Sequence, residues 1–443
     1  MNLSFPKYTN SIACCITGGD SMGVHTVVIG DNLWRISLAY GVPISTIQTL
    51  NGLVSDRLVP GLNLYIPDQD LPEQFYQLKQ GDTFWNLSQQ YMTSVQAIVE
   101  ANPTMNPTAL PVGARIRIPS MQKYQMETLV FFDAIEGSPY FGTLNNLSGW
   151  ITYLAVFTYS FTPKGELLPI DDDAILKRAK ALNIKPLLVI SNYDVQMFSA
   201  ELADTVLQNK EKRATLVQNL VTTVKEKGYA GVSVDFEFVP PERRKEFTLF
   251  LQELKKGLGN LTLQLNAHAK SSDMPTNRLV GFLDYRAVGE IADIVSVMTI
   301  DYGYAIGPPD PIAPVWWVEE MLMYATSQIN HRKVMMAMSL YGYDWSLPAQ
   351  EKPAEMISVQ NAQNRAINGW LPIQYDEIAQ APTYRYNLMG QQHVVWFEDI
   401  QSIKEKYKQM QVYDLLGATY WRLRFLFPQN WAYVEKNMRV LKG

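Results

Sequence analysis

The sequence predicts an α/β protein, in which two small βααβ modules precede a (β/α)8 barrel with an α+β insertion between its strands seven and eight. Two observations lead to this prediction. A plan of strand, helix, helix and strand occurs twice before residue 121, and apolar strands then alternate with helical stretches as far as residue 443. Such alternation is typical of a parallel sheet covered by helices.

The first observation is an internal repeat, which aligns residues 25–67 with residues 76–119. Each unit opens with an alternating strand and turns at a Gly-Asp pair. The acid of that pair, Asp31 or Asp82, is expected to cap the helix that follows. A second alternating strand closes each unit, so the repeat predicts two copies of one small fold.

The second observation is a set of eight apolar strands that fits a (β/α)8, or TIM, barrel. The predicted strands are Leu129–Ala134, Ile151–Phe157, Lys185–Ile190, Gly231–Glu237, Leu261–Ala267, Ile294–Asp301, Val334–Tyr341 and Gly417–Leu423. One long gap separates the last two strands and is expected to hold the insertion. Within that gap, residues 385–397 are predicted to form a hairpin with Gly390 at its turn.

These patterns divide the chain into four parts. The predicted domains are a leader at residues 1–22, which we expect to be disordered, the modules at residues 23–68 and 74–120, and the barrel at residues 123–443 with its insertion at about 346–415. The leader has no apolar run long enough for a signal-peptide core, and Met22 is an alternative start.

Composition excludes several classes of partner. With 38 basic and 43 acidic residues the net charge is −5, which argues against nucleic acid. The only cysteines, Cys14 and Cys15, are adjacent and cannot easily bridge each other, so stability must come from packing. The four histidines show no metal-like spacing, and no metal or cofactor is expected. Neither a membrane nor an obligate protein partner is indicated.

Polar and aromatic residues gather where the predicted strands end, which is where such barrels build active sites. In strand four, Ser233, Asp235 and Glu237 share one side because side chains alternate along a strand, and the two acids are a plausible acid/base pair. Further candidates at strand ends are Asn192, Met298, Asp301, Tyr302, Tyr341, Tyr343 and Trp421. Carboxylates surrounded by aromatic rings suit a carbohydrate.

Both modules resemble LysM modules. The opening Gly30-Asp-Asn-Leu-Trp34 returns as Gly81-Asp-Thr-Phe-Trp85, and both units end in Ile-Pro, at Pro67 and Pro119. The resemblance implies binding of N-acetylglucosamine polymers, such as peptidoglycan or chitin, by the loop after strand one and the loop before strand two. Those loops contain Gly30, Asp31, Asn32, Leu33, Val59, Pro60 and Gly61, and then Gly81, Asp82, Thr83, Phe84, Pro111, Val112 and Gly113. Individually, each residue also fits a role in a turn or a helix cap.

The barrel resembles the chitinase-like glycoside hydrolases of family 18. Residues 230–237, Ala-Gly-Val-Ser-Val-Asp-Phe-Glu, align with the family's Asp-Gly-x-Asp-x-Asp-x-Glu, and residues 298–302 align with Met-x-Tyr-Asp-Tyr/Trp. Trp421 stands where the family has the tryptophan that floors the cleavage site. With the modules in front, the whole chain is similar to the spore cortex-lytic and sporulation-specific glycosylases of Bacillus-like bacteria.

This resemblance implies a retaining N-acetylglucosaminidase in which the substrate's own acetamido group is the nucleophile. Glu237 would protonate the glycosidic oxygen and later activate water, while Asp235 would support the acetamido group and the charged intermediate. The remaining candidates, with Ser233 among them, would bind the sugar. The substrate expected is β-1,4-linked peptidoglycan of the spore cortex, and the expected location is the spore or cell wall, without a clear signal peptide.

Three departures leave an alternative open. Ala230 and Ser233 replace the family's first two aspartates, and Ile300 stands where a tyrosine helps to hold the acetamido group. Unless Tyr302 or Tyr341 substitutes, losing such a donor slows turnover by about 100 to 1,000 fold. The alternative is a structural protein of the spore or wall, whose barrel has lost catalysis and only binds glycan.

Overall fold

A closed barrel of eight parallel strands forms the centre of the protein. The computed structural model describes residues 23–68, 70–133, 140–194, 197–349 and 352–442, so the predicted leader lies outside the described residues. In order, the barrel strands are Tyr124–Asp133, Tyr153–Phe161, Lys185–Ser191, Gly231–Asp235, Thr262–His268, Ile294–Met298, Val334–Ser339 and Gly417–Trp421. Strand one pairs in parallel with both strand two and strand eight, which closes the barrel.

Helices cover the outside of the barrel because each has an apolar face. Helix Arg244–Leu258 buries Phe247, Phe250 and Leu254, whose spacing of three or four residues puts them on one side. The barrel helices are Phe141–Leu147, Asp173–Ala181, Ala200–Leu207, Lys210–Lys227, Arg244–Leu258, Tyr285–Ile291, Val315–Gln328, Ile400–Val412 and Pro428–Asn437. Of the helices that the structure describes, none is long and apolar enough to cross a membrane.

Strand four places its side chains alternately outside and inside the barrel, as predicted. Val232 and Val234 are fully buried in the layer between the strands and the helices. Ser233 and Asp235 point inward, and Asp235 reaches the cavity at the carboxyl end of the barrel. Burying a polar side chain at this rim costs free energy unless the side chain has a hydrogen-bond partner.

Strands four and six end earlier than predicted. Strand four ends before Glu237, whose backbone N–H and C=O bond to the side chain of Asn192, at 2.9 and 2.8 Å, instead of to a neighbouring strand. Phe238 then adopts a left-handed φ of 56°. Strand six ends at Met298, and Asp301 has a φ of 60°. Both acids therefore lie on irregular backbone just beyond a strand, where side chains can be aimed independently of the pleat.

The insertion is a five-stranded antiparallel sheet with helix Val359–Asn368. In spatial order its strands are Glu355–Ser358, Tyr341–Ser346, Gln391–Trp396, Ala381–Leu388 and Gln374–Asp376. The third and fourth strands of that order form the predicted hairpin, with Gly390 in its turn. The sheet begins earlier than the predicted residue 346, because Tyr341–Ser346 pairs with Gln391–Trp396 rather than continuing strand seven. The predicted insertion also reaches too far, because residues 400–412 form helix Ile400–Val412, which packs with the helices on the outside of the barrel.

The two modules share the predicted βααβ plan. Their strands are Val24–Thr26 with Asn63–Tyr65 and Glu73–Gln77 with Arg115–Pro119, and their helices are Leu33–Tyr40, Ile44–Asn51, Phe84–Gln90 and Val95–Ala101. Asn51 and Asn102 occupy equivalent positions, and each bonds through its amide to a helix carbonyl and to the closing strand. The predicted fold class, with two modules, the barrel and its insertion, is confirmed.

The modules pack directly against the barrel. In the first module, the Asn63 side chain donates to Asp399 at 2.7 Å, and Gln429 donates to Asn51 at 2.7 Å. The loop before the closing strand also contacts the insertion, where the Ile373 N–H donates to the Pro60 carbonyl at 2.9 Å. These partners lie more than 300 residues apart in sequence, so the modules are fixed by tertiary contacts.

We predict that Gly61→Ala loosens the first module more than Gly113→Ala loosens the second. The two glycines are repeat equivalents with φ of +82° and +86°, so each substitution carries the left-handed penalty of about 1 kcal/mol. A Cβ on Gly61 would in addition collide with the Ile373 carbonyl oxygen, whereas one on Gly113 has no close neighbour. The clash should add about 1 to 3 kcal/mol. Thermal unfolding and limited proteolysis of the full chain measure the difference, and equal losses would refute the close contact.

Candidate active site

A cleft of about 310 Å³ lies at the carboxyl ends of the barrel strands. Its lining residues are Phe131, Phe157, Tyr193, Phe198, Asp235, Glu237, Asn266, Ser296, Met298, Ile300, Asp301, Ala337, Thr419, Trp421 and Arg422. A larger cavity of about 700 Å³ separates the second module from the opposite end of the barrel. Among the described residues that line it there is no pair of acids, so the smaller cleft is the candidate active site.

The two acids of strand four meet in this cleft. Asp235 is buried, and the Glu237 side chain is 17% exposed, so Glu237 is the one that solvent and ligand can reach. The Asn192 side chain donates to the Glu237 carbonyl and accepts from the Glu237 N–H, and these two bonds fix the backbone of Glu237. Asn192 is therefore held behind the acid, and it is not among the residues that line the cleft.

The pKa of Asp235 is strongly perturbed. Burial, followed by repulsion from Glu237, raises it to about 7, although His268 and a hydrogen bond from Asn266 act in the opposite direction. Asp235 is therefore about half protonated at neutral pH. An acid that exchanges a proton near neutrality beside a second carboxyl group is suited to proton transfer and to stabilising positive charge.

His268, at the end of strand five, lies on the other side of Glu237. Its Nε2 atom is 3.4 Å from Glu237 Oε2. Burial alone would lower the pKa of His268, but the carboxyl groups of Glu237, Asp235 and Asp301 outweigh burial and raise it. The site thus contains three acids and one histidine that is drawn towards its protonated form.

Asp301 is oriented by two tyrosines. The hydroxyls of Tyr341 and Tyr343 donate to its Oδ1 atom at 2.6 and 3.2 Å. Burial raises the pKa of Asp301 even though these hydrogen bonds favour the ionised form. Both tyrosines are buried behind Asp301, on strand Tyr341–Ser346 of the inserted sheet, and neither lines the cleft. The insertion therefore contributes to the site by positioning an acid.

Aromatic rings form the floor and one wall of the cleft. Trp421 makes edge-to-face contacts with Phe131 and Phe157, at centroid distances of 5.0 and 5.1 Å. Across the cleft, Tyr193 and Phe198 pack edge to face at 5.4 Å. Rings that are braced by other rings present flat apolar surfaces on which a sugar can stack.

The other predicted residues occupy different places. Met298 lines the cleft, whereas Ser233 is fully buried and accepts a hydrogen bond from Asn266 at 3.4 Å. Tyr302 is not among the lining residues, and its ring packs against Trp316 and Trp317 instead. The sequence pattern thus identified side chains near the rim but did not separate those facing the cleft from those supporting it.

Sequence reasoning missed Asn266 and His268. A usable signal was present, because strand five alternates Gln264, Asn266 and His268 with apolar residues. Polar side chains on every second residue of a buried strand must face the inside of the barrel, so the last of them reaches the rim. Arg422, which directly follows Trp421 at the end of strand eight, lines the cleft as well, although it was not among the predicted site residues.

The predicted glycan-binding loops differ between the modules. Asp31 and Asp82 do not cap the helices; they accept from the backbone N–H groups of Val28 and Lys79, three residues earlier, and close the turn. The helix caps are the next residues, Asn32 and Thr83. The loop with Val59, Pro60 and Gly61 packs on Ile373 of the insertion, whereas Pro111, Val112 and Gly113 are exposed. The second module therefore has the more open surface.

A barrel with paired acids at the end of strand four and an aromatic floor defines a class of sugar-cleaving enzymes. Residues 152–425 match glycosyl hydrolases family 18, and residues 25–67 and 76–119 each match the LysM domain. The chain belongs to glycosyl hydrolases family 18 and is a glycosidase with two LysM domains.

Two curated relatives and a solved structure match most of the chain. YdhD of Bacillus subtilis (strain 168) is 33% identical over 417 residues, which is 93% of this chain and 97% of that protein. The cortical fragment-lytic enzyme of the same strain is 31% identical over 426 residues, 83% of this chain and 99% of that protein. The crystal structure of the Bacillus cereus spore cortex-lytic enzyme SleL has a TM-score of 0.82 at 31% identity, and the match covers 95% and 98% of the two chains.

Replacing Asp235 by Asn should stabilise the protein at high pH and not at low pH. An unfolded aspartate titrates near pH 3.9, whereas the folded value is about 7. Ionising the folded group therefore costs stability that accumulates between about pH 4 and pH 7. We expect Asp235→Asn to gain on the order of 2 kcal/mol over the native chain at pH 8 and little at pH 4.

Urea unfolding at pH 4, 6 and 8 measures this effect. The exposed carboxylate Asp194 offers a matched control, because Asp194→Asn removes the same charge from a solvated position. A gain for Asp235→Asn that is independent of pH would contradict the assignment of Asp235 as a buried titrating acid.

Proposed function

We propose that the chain is an N-acetylglucosaminidase that cleaves the β-1,4 bond after N-acetylglucosamine in peptidoglycan of the spore cortex. The observation that carries this proposal is the pair Asp235 and Glu237, one buried and one reachable, beside a floor formed by Trp421. The acids and the ring would contact one sugar from different sides. The LysM modules hold the enzyme on its substrate.

Glu237 is the proton donor to the glycosidic oxygen. Its carboxyl group is the more exposed of the pair, and its backbone is fixed by Asn192. Asp235 holds the acetamido N–H and, once ionised, stabilises the positive charge of the cyclic intermediate that the acetamido oxygen forms. The pKa of about 7 lets Asp235 exist in both states at neutral pH. His268 contacts Glu237 and can exchange a proton with it.

Asp301 and Met298 border the same sugar, while Tyr341 and Tyr343 act through Asp301. Ile300 lines the cleft where the family's tyrosine would donate to the acetamido oxygen. Neither Tyr302, which packs on Trp316 and Trp317, nor the buried Tyr341 is placed to substitute for it. We therefore propose that turnover is slow, by about 100 to 1,000 fold for one missing donor.

The proposed cortex substrate and spore location rest on the relatives. Two of them are a cortical fragment-lytic enzyme and a spore cortex-lytic enzyme, and both carry the match over nearly their full length. Ile300 also favours a second candidate, a glycan-binding protein of the spore or wall with impaired catalysis. The two candidates share the cleft and differ only in whether bonds break.

Glu237→Gln should reduce cleavage of spore cortex fragments by about 100 to 10,000 fold, because a positioned acid contributes that much to rate. New reducing ends, followed by mass spectrometry, measure cleavage and identify the sugar at the cut. Glu242→Gln is the matched control, since Glu242 is an exposed glutamate five residues further along. If the native chain and Glu237→Gln release the same products, the enzyme proposal fails and the binding protein remains.

Val112→Asp, introduced into the Glu237→Gln chain, should weaken co-sedimentation with insoluble peptidoglycan several fold. Val112 is 67% exposed in the predicted glycan-binding loop of the second module, where a charge would oppose apolar contact with a sugar ring. Met92→Asp is the control, because Met92 is 76% exposed in the same module but outside these loops. Equal binding by both variants would argue against this loop as the glycan site.

A further inference from the structure

Two arginines, Arg422 and Arg424, follow strand eight in the sequence. Arg422 lines the cleft and forms an ion pair with Asp133 at the end of the neighbouring strand one. Arg424 lies beside the same carboxylate, with its Nε atom 3.8 Å from Asp133 Oδ2. Among the described residues, Asp133 is the only carboxylate within ion-pair distance of either guanidinium.

This group carries a net positive charge. Two guanidiniums share one carboxylate, and the Arg422 and Arg424 side chains are 15% and 34% exposed, so neither is fully solvated. Burial lowers the pKa of Arg422, and Arg424 adds to this effect, while Asp133 opposes it. Among the described residues, this partly desolvated cluster has one more positive than negative charge, which favours a second anion.

The position of the cluster defines which part of a substrate would reach it. Strands four and eight lie opposite each other in an eight-stranded barrel, so Arg422 faces the paired acids across the cleft. Between them is the floor residue Trp421, and the Arg422 guanidinium carbon lies 5.1 Å from the centre of its ring. A sugar stacked on Trp421 would therefore direct a substituent on one edge towards Arg422.

Glycans that contain N-acetylglucosamine differ in charge. Chitin is neutral, whereas in peptidoglycan every second sugar carries a lactyl ether that ends in a carboxylate or continues into an acidic peptide. A planar guanidinium binds a carboxylate through two parallel hydrogen bonds, and such charged pairs are stronger than neutral ones. The three acids on the other walls would repel a carboxylate, so strand eight is the side where it can be accommodated.

We propose that Arg422, with the charge of Arg424 beside it, forms a carboxylate subsite, which makes the cleft select lactyl-bearing peptidoglycan strands over neutral N-acetylglucosamine polymers. This inference rests on the proposed glycosidase function of the same cleft, and it adds the side chains by which the cleft would distinguish charged from neutral glycans. Asp133 is a positioning residue in this subsite, since its ion pair holds the Arg422 guanidinium, which lies over the Trp421 ring.

The test compares two forms of one substrate. Peptidoglycan strands stripped of their peptides have free lactyl carboxylates, and methylamidation neutralises these carboxylates without altering the glycan. The ratio of kcat/KM for the charged form over the neutral form should be at least about tenfold in the native chain, since a hydrogen bond to a charged group contributes about 1.5 to 3 kcal/mol. Arg422→Gln combined with Arg424→Gln should abolish this preference.

Controls separate charge recognition from damage to the fold. Adding Asp133→Asn to the double variant removes the unpaired carboxylate, and the preference should stay lost. Arg439→Gln, at an exposed position on the opposite end of the barrel, should retain the native ratio. A native ratio near one, or an unchanged ratio in the double variant, would overturn the proposal.

The subsite can also be tested if the chain proves to have no glycosidase activity. If the native chain cleaves neither form, binding of both strands to the Glu237→Gln chain, measured by titration calorimetry, still reports on the subsite. Tighter binding of the charged strand, lost in the arginine variants, would support the subsite without catalysis. Equal binding of both strands would overturn it.

Discussion

Burial of Asp235 beside Glu237 is the constraint around which the rest of the site is arranged. Two carboxyl groups at the end of one strand repel each other, and a buried carboxylate lacks water. The surrounding strands compensate with Asn266 and His268 from strand five and with Asn192, which fixes Glu237 after strand three. A parallel barrel supplies these partners because it brings the carboxyl ends of all its strands to one rim.

The LysM modules and the barrel depend on each other through a second buried polar network. Asn51 and Asn63 belong to the first module, and their partners Gln429 and Asp399 belong to helices of the barrel. Burial raises the pKa of Asp399 to about 6, against the hydrogen bonds that it accepts from Ser402 and Asn63. The first module is therefore held on the barrel in a set orientation, which differs from attachment by a flexible linker.

The periodic features of the sequence were sufficient to predict the eight strands, the repeat and the inward-facing acids, because each depends on residues close together in the chain. The start of the insertion was not predictable in this way, since Tyr341–Ser346 is a strand only by pairing with Gln391–Trp396. The role of Asn192 was not predictable either, because its side-chain amide bonds to the backbone of Glu237, 45 residues away in the sequence. A motif identifies the residue types at a site, whereas packing decides which of them face a ligand.

The three departures from the family pattern consequently differ in weight. Ala230 precedes strand four and lies about 20 Å of strand from Glu237, at roughly 3.3 Å per residue, so it belongs to the opposite end of the barrel. Asn266 donates a hydrogen bond to Ser233 and another to Asp235, and so connects the two side chains. Because residue 233 is a serine, Glu237 is the acid whose repulsion raises the pKa of Asp235. Ile300 lines the cleft itself. In the proposed mechanism, only groups that contact the reacting sugar respond as charge develops on it. Ile300 is therefore the departure expected to affect the rate, and Ser233 the one expected to affect the acidity of Asp235.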